Sequence, residues 1–566
     1  MTKFKLMNKL SPYILLLALS IFAALPFFHS GFFIIHDNTQ VQRTFEMARS
    51  LSDGMFPVRW VADLGYGYGY PIFNFYAPAF YYISGFLTAL GLNALLSTKL
   101  TAIFAILLST VSMYLLAKEF WGRWGGILSA VLYTYAPFHA VDIYVRGAFA
   151  ESFAYGLLPL PFLGLYKIYK ESSKKHVWFW TFFTSLTSAL LISSHNLSAF
   201  MIAPFLVILA VIFSSLYFKK NRKFPIHFFY SLVLGIVLSA FYWIPALLEL
   251  KFTDVYSALG GGSDFRHHFV CLTQFWYSPW GFAGSGPGCV DGVSFELGKL
   301  HILIVLIASS GLFFARKNIL QFLGLSLSLL MSVFSIFLMT AYSRSIWEIV
   351  SPMEFFQFPW RFLLLTSFSM SFAGGFILWF LSKKVKNSVF MFVTSSIILV
   401  GLIFYYQKLF YPQNITSDPS ENYTNERSLR WFTSKISDEY MPKDFPTPTN
   451  ENEVAGGKIG IESDKGEVKY LTQETGRIEA EVTLNENSQI FINIAKFPAW
   501  NFFLNGEKII PAEDRGRFKM ILPEGKFRIV AVFEQTNIEK LSNFISFSGV
   551  LLLLAGIIFS RRKNYD

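Results

Sequence analysis

The sequence predicts a polytopic α-helical membrane protein of about twelve spans with a small extracytoplasmic β-sandwich near the C-terminus. Three observations predict it. The 566 residues are 53% hydrophobic and only 15% charged, too apolar for a soluble chain. Lys and Arg recur at every second junction between apolar runs. Late in the chain the hydrophobic period changes from helical to two.

The apolar runs cover 12–30, 98–117, 124–138, 150–167, 177–194, 197–217, 228–248, 299–315, 319–340, 361–381, 388–406 and 541–560. Lys3, Lys5 and Lys9 precede the first run without a small-x-small cleavage site after it, so it reads as a retained anchor. Lys118 and Arg123, Lys167 to Lys175, Lys219 to Lys223, Arg316 and Lys317, Lys383 to Lys386, and Arg561 to Lys563 complete one basic side. That pattern expects a multi-pass cell-membrane protein with both termini cytoplasmic. The run 72–92 breaks it if counted as a span, so it is expected to be a juxtamembrane or re-entrant helix within the first outer loop, 31–97. The expected organisation is a transmembrane domain over 1–406, a β-rich outer domain over 407–540, and an anchor with a basic tail over 541–566. In the outer domain Ile478, Ala480, Val482 and Leu484 alternate with polar residues, and Asn505-Gly506 is a hairpin signal. The net charge of +11 lies in short clusters between apolar runs, which argues against a nucleic-acid partner.

The first outer loop concentrates the chemistry. Val41, Phe45, Ala48 and Leu51 fall on one helical stripe, with Arg43, Glu46 and Arg49 largely opposite, as expected of an interfacial helix on the outer leaflet. Asp37 stands at its start. Local pattern reads it first as an N-cap; the functional alternative is a carboxylate at the mouth of a membrane cavity acting as a base, with His36 as partner. Gly65, Gly67 and Gly69 alternate with Tyr66, Tyr68 and Tyr70. An extended segment would put the three tyrosines on one face, fit for a sugar or an isoprenoid chain; interface-belt tyrosines are the plainer reading.

Further candidates lie in other outer loops. Asp142 and Arg146 are spaced i,i+4, with Glu151 beyond, an arrangement that is also an ordinary surface ion pair. His195-Asn196 occupies a tight turn, where Asn196 suits cap chemistry. Arg361 opens a run after Pro359-Trp360, as a snorkelling cation would. Cys271 and Cys289 share a Gly-rich outer loop that could act as a lid, and an outside location permits a disulfide between them. They form no CxxC, and His267-His268 is too little for a metal site, so no metal or other cofactor is expected, with a divalent cation left open.

Several short pieces carry a family resemblance. They are His36-Asp37, the run Asp53 to Trp60, Gly65 to Tyr82, Arg146-Gly147-Ala148 with Glu151, Ser194-His195-Asn196, Phe358 to Arg361, and Glu439 to Pro442. Together they resemble bacterial and archaeal membrane proteins known as 6-pyruvoyl-tetrahydropterin synthase-related, which belong with the GT-C glycosyltransferases. Nothing offers the His-rich zinc site of a soluble pterin synthase. The resemblance implies a GT-C-like fold, a catalytic acid just beyond the first span, and a sugar donor on a polyprenyl-phosphate carrier. It makes Asp37 the base, Arg146, Arg361 and His195 the donor-phosphate ligands, and His36, Tyr66, Tyr68, Tyr70, Glu151 and Asn196 the substrate contacts. The implied partners are a lipid-linked sugar, membrane lipids and an unidentified glycan, lipid or protein acceptor in the cell envelope. A transporter or flippase for lipid-linked glycans, or a silent scaffold, is the rival reading. Charges confined to span ends count against ion-coupled transport.

Overall fold

The computed structural model describes residues 3–171, 174–218, 225–462 and 466–562. Lys219, Lys220, Arg222, Lys223 and Lys563 of the basic pattern lie outside the described residues. Among the described residues, seven helices are long and apolar enough to cross a membrane, or eight if the bent pair Ile226–Leu238 and Ala240–Leu248, at 64° to each other, forms one span. The protein is a multi-pass membrane protein. The expectation of twelve outruns this count because several runs are interrupted. The first continues Lys3–Ile21 into a 3-10 turn at Phe22–Phe28. The run 150–167 is divided into Phe149–Leu157 and Pro159–Lys170, and 299–315 into Lys299–Ser309 and Gly311–Ala315. Runs 98–117 and 124–138 share the helical stretch Ala94–Thr134, broken at Gly122, where φ is +65°. At 1.5 Å per residue that stretch would be about 60 Å long, twice a bilayer core, so the break lets the chain turn back.

The run 72–92 holds only Ile72–Phe75 and Ala79–Ala89. The longer of these reaches about 16 Å, too short to span. It packs beneath the amphipathic helix Gln40–Ser52. That helix is not the interfacial helix the sequence suggests. Its polar face is buried too, with Arg43 only 4% exposed and Glu46 fully covered. Residues 420–440 form the cover: Gln42 Nε2 donates to Ser428 Oγ (3.3 Å) and Arg43 Nη2 to Ser437 Oγ (2.9 Å).

Among the described residues, the last polar segment ends in nine strands: β1 (Ile459–Ile461), β2 (Gly466–Glu474), β3 (Arg477–Leu484), β4 (Ser488–Ile492), β5 (Trp500–Leu504), β6 (Glu507–Ile509), β7 (Ala512–Asp514), β8 (Arg517–Leu522) and β9 (Gly525–Phe533). They make two antiparallel sheets, β1-β4-β8-β7 and β2-β3-β9-β5-β6. Phe502 of one sheet meets Phe518 of the other at 4.5 Å between ring centroids. Ile478, Ala480, Val482 and Leu484 on β3 are all buried, as their alternation requires. Asn505-Gly506 turns β5 into β6 with both residues at positive φ, the geometry of a type I′ hairpin. Arg515-Gly516 turns β7 into β8 in the same way.

The Gly/Tyr segment is the joint between membrane domain and β-module. It is not extended: Gly65, Tyr66, Gly67 and Gly69 all have positive φ, and the turn closes between Val61 and Tyr70. Gly69 admits no side chain, because a Cβ there would lie 2.5 Å from the Trp60 indole nitrogen. Tyr66, Tyr68 and Tyr70 are buried against the C-terminal segment rather than lining one open face. Tyr66 donates its hydroxyl to Asp438 (2.8 Å), Tyr68 packs on Phe445 and Tyr70 on Tyr440.

A charge cluster reinforces the joint. Arg49 and Arg430 both pair with Asp63, and Asp63 N–H donates to Glu46 Oε2 at 3.1 Å. The buried Lys458 ammonium donates to the carbonyls of Ala62 (2.7 Å) and Gly67 (2.6 Å). Burial, aided by the neighbouring Asp63, pushes the Glu46 carboxyl up to about 7.

Candidate functional site

Two backbone rungs bring the head of the first outer loop to the second one. His36 N–H donates to Val145 O (3.0 Å) and Asp37 N–H to Arg146 O (2.9 Å). The approach depends on Gly147, at φ +67°, because a Cβ there would meet Ile35 at 2.3 Å. The capping reading of Asp37 does not hold. The residue before the helix is Thr39, and no side-chain cap bond is made there. The Asp37 carboxylate instead lies within electrostatic reach of Arg146, Arg361, Tyr76 and Tyr81.

Arg146 ends the π-helical turn Val141–Arg146. Its Nη1 donates to Asp142 Oδ1 (2.5 Å) and Glu151 Oε2 (2.7 Å), and the Trp360 ring lies 4.9 Å from the guanidinium carbon. This is a buried triad, not the surface pair that i,i+4 spacing suggests. Both bonds fall on one nitrogen, so Nε and Nη2 make no further protein hydrogen bond among the described residues. Burial and the adjacent Glu151 push the Asp142 carboxyl well above its usual range, against the pull of Arg146.

His195 closes the other side of Glu151, its Nε2 4.0 Å from Glu151 Oε2. His195 Nδ1 accepts the Ser198 N–H (3.3 Å) and meets Ser198 Oγ at 2.7 Å. A ring nitrogen that accepts a backbone N–H carries no proton, so Nε2–H is the form that faces Glu151. Burial holds this imidazole neutral, pushing its pKa down to about 4. Neighbouring Asn196 is exposed and accepts only from Leu197 N–H (3.0 Å); it takes no part in the cluster.

Arg361, unlike Arg146, is not held by a carboxylate. Among the described residues it has no ion pair, its Nε is buried without a hydrogen-bond partner, and its guanidinium rests 5.5 Å from the Phe358 ring. It lies within electrostatic reach of Arg146, Glu151 and Asp37. The cluster thus holds a half-buried cation without an ion pair beside a carboxylate. Among the described residues, no group of three or more His, Cys, Asp or Glu side chains is placed to hold a metal ion.

Loop 249–298 reaches over this cluster. Cys271 and Cys289 are joined in a disulfide. His36 Nε2 bonds to Phe282 O (2.8 Å), which ties its exposed ring to the loop. Trp360 Nε1 donates to Ser285 Oγ (2.9 Å), and Ser285 in turn meets His268 Nδ1 at 2.8 Å. Sequence reasoning misses Trp360, Tyr76, Tyr81 and Arg43 as neighbours of the cluster. Arg43 stacks 4.4 Å over Tyr76 and bonds Tyr81, whose hydroxyl donates to Gln40 Oε1 (2.6 Å). Both tyrosines are within electrostatic reach of Asp37 as well as of Arg43. Only their place in the 72–92 run hinted at this.

Residues 73–409 match the family model described as "6-pyruvoyl-tetrahydropterin synthase related domain; membrane protein". The chain belongs to that family. Arg146, Glu151, His195 and Arg361 of this family member fall inside the matched stretch, and Asp37 precedes it. No curated protein matches the sequence. Solved structures that align with it include ArnT from Cupriavidus metallidurans bound to undecaprenyl phosphate, at 10% identity and a TM-score of 0.40, over 76% of this chain and 77% of that one. The arabinofuranosyltransferase AftD from Mycobacteria aligns at 15% identity and a TM-score of 0.43, over 73% of this chain but 28% of its own length. The Archaeoglobus fulgidus oligosaccharyltransferase aligns at 14% and 0.38, over 79% and 58%.

Proposed function

We propose that the protein is a GT-C-type glycosyltransferase that moves a sugar from a polyprenyl-phosphate donor to an acceptor on the outer face of the cell membrane. Both termini are then cytoplasmic, as the basic junctions favour. The observation that carries the reading is Arg361, a half-buried guanidinium whose Nε is buried without a hydrogen-bond partner and which makes no ion pair among the described residues, next to Asp37 and the unused N–H groups of Arg146. A guanidinium with a buried N–H left unpaired is costly, and a phosphate would complete it. In the reaction, the Asp37 carboxylate takes the acceptor hydroxyl proton as that oxygen bonds the anomeric carbon. The carbon–oxygen bond to the donor phosphate breaks, and its electron pair leaves on the polyprenyl phosphate. Arg361 and Arg146 stabilise that charge. Glu151 and Asp142 hold Arg146 in place, and neutral His195 lends its Nε2–H.

The test uses Asp37→Asn in lipid nanodiscs with a panel of polyprenyl-phosphate sugars. Transfer falls by about 10²–10⁴-fold while donor binding persists. Transfer at the wild-type rate removes Asp37 from the role. A flippase would instead move labelled donor across proteoliposome membranes equally well with either residue. Lipid profiling of a deletion strain, which should accumulate the unused polyprenyl-phosphate sugar, identifies the donor.

A further inference from the structure

Loop 249–298 carries a group, or knob, of large apolar side chains that the described residues leave exposed. Leu272 is 59% exposed, Trp276 55%, Tyr277 63% and Val290 59%. Leu272 and Trp276 lie on one short helix with Tyr277 next in the chain, and the Cys271–Cys289 disulfide, with 5.6 Å between the two cysteine Cα atoms, brings the segment at Val290 beside Leu272. Exposed apolar residues scattered singly are ordinary, as with Ile510 on the β-module, but four stapled together are not.

The level of the knob is set by its backbone bonds. Val270, just before the disulfide, donates its N–H to the carbonyl of Met339 (2.8 Å), the last residue of the spanning helix Ile319–Met339. Leu297 N–H donates to Phe275 O (3.1 Å), which ties the knob's short helix Leu272–Trp276 to the start of the apolar helix Lys299–Ser309. The Lys299 ammonium sits 5.3 Å over the Tyr277 ring. The knob therefore lies where two apolar helices end, with a tryptophan, a tyrosine and a lysine, the side chains that favour the headgroup region. Leu303, Leu306 and Ile307 of the following helix are exposed as well.

We propose that Leu272, Trp276, Tyr277 and Val290 form a disulfide-stapled membrane anchor, inserted at the headgroup–acyl boundary of the leaflet on the Asp37 side. The occupant of this surface is bilayer lipid. The anchor holds the loop that reaches His36 through Phe282 and Trp360 through Ser285 at the lipid surface. It holds whatever chemistry the cluster performs.

Neither native cysteine is free, so one introduced cysteine takes one spin label. Trp276→Cys and, as a second position, Tyr277→Cys are labelled in nanodiscs of phosphatidylcholine and phosphatidylglycerol. Phe404→Cys, on an exposed helix position, is the lipid reference, and Ile521→Cys, on the β-module, is the water reference. The oxygen-to-nickel accessibility ratio at 276 and 277 is expected near the Phe404 value and several-fold above that at Ile521. A ratio at the Ile521 level overturns the anchor, and so does low access to both reagents, which would mean a protein cover. In the Cys271→Ser/Cys289→Ser background the label at 276 should become more mobile and its ratio should fall. An unchanged spectrum there overturns the staple.

Discussion

Two buried charge clusters flank the Gln40–Ser52 helix, and they are built to opposite rules. At the joint with the β-module, Asp63 takes both Arg49 and Arg430, Lys458 donates to two carbonyls, and Glu46 accepts a backbone N–H. Each cation there already has a partner. Beyond the start of the helix, Arg146 is held by two carboxylates through one nitrogen only, and Arg361 is left without an anion. In the first arrangement every cation is paired without any ligand, and it serves to fasten two parts of the chain. The second is incomplete, and an incomplete buried cluster is where a ligand of opposite charge gains most.

That contrast is broken most directly at its filled end. Asp63→Asn leaves Arg49 and Arg430 without their shared carboxylate, and the destabilisation should reach about 2–4 kcal/mol, since both arginines are only partly exposed. It reads out as a lower midpoint of thermal unfolding in detergent. At the open end the same removal of charge acts the other way. Arg361→Gln should leave the melting midpoint unchanged or raised, because no protein ion pair is lost. Binding of polyprenyl phosphate, followed by native mass spectrometry, should weaken by about 10–100-fold, the loss of one charge-assisted contact. A drop in melting midpoint with unchanged lipid binding would make Arg361 a structural cation and erase the difference between the clusters.

How much of this could be read in advance follows the range of the interactions. The hairpin at Asn505-Gly506 and the buried alternation of β3 are readable because turn chemistry and strand period act within a few residues. The shortness of the 72–92 helices follows from charge at the junctions on either side. The polar face of Gln40–Ser52 misleads because the groups that bury it, Ser428 and Ser437, lie nearly four hundred residues away. The Gly/Tyr segment misleads differently. A period of two suggests a strand, yet positive φ at alternate glycines and at Tyr66 folds the segment into a turn, and alternation alone does not report the sign of φ. The residue types around Asp37 are readable one by one. That Arg361 lacks a partner emerges only when the neighbours of Arg146 have been placed.

The contrast also has a pH signature at the filled end. With its carboxyl raised to about 7 by burial, Glu46 keeps its proton in the folded protein at pH values where the unfolded chain, near 4.5, has lost it. The stability tied to that proton is fully present below pH 4.5 and is lost as pH rises through 7. Glu46→Gln should flatten this decline, by on the order of 1–2 kcal/mol across the window, in melting midpoints taken from pH 4.5 to 7.

The smallest effect belongs to Asn196, which adjoins His195 in sequence but shares none of its contacts. Its side chain accepts only the next residue's N–H, and it is exposed. Asn196→Ala should therefore shift donor binding less than twofold and stability by about 0.5 kcal/mol or less. His195→Ala in parallel removes the N–H that faces Glu151 Oε2 and should weaken binding measurably. Equal losses from the two variants would mean that the turn as a whole, and not the imidazole, is what the cluster needs from this stretch.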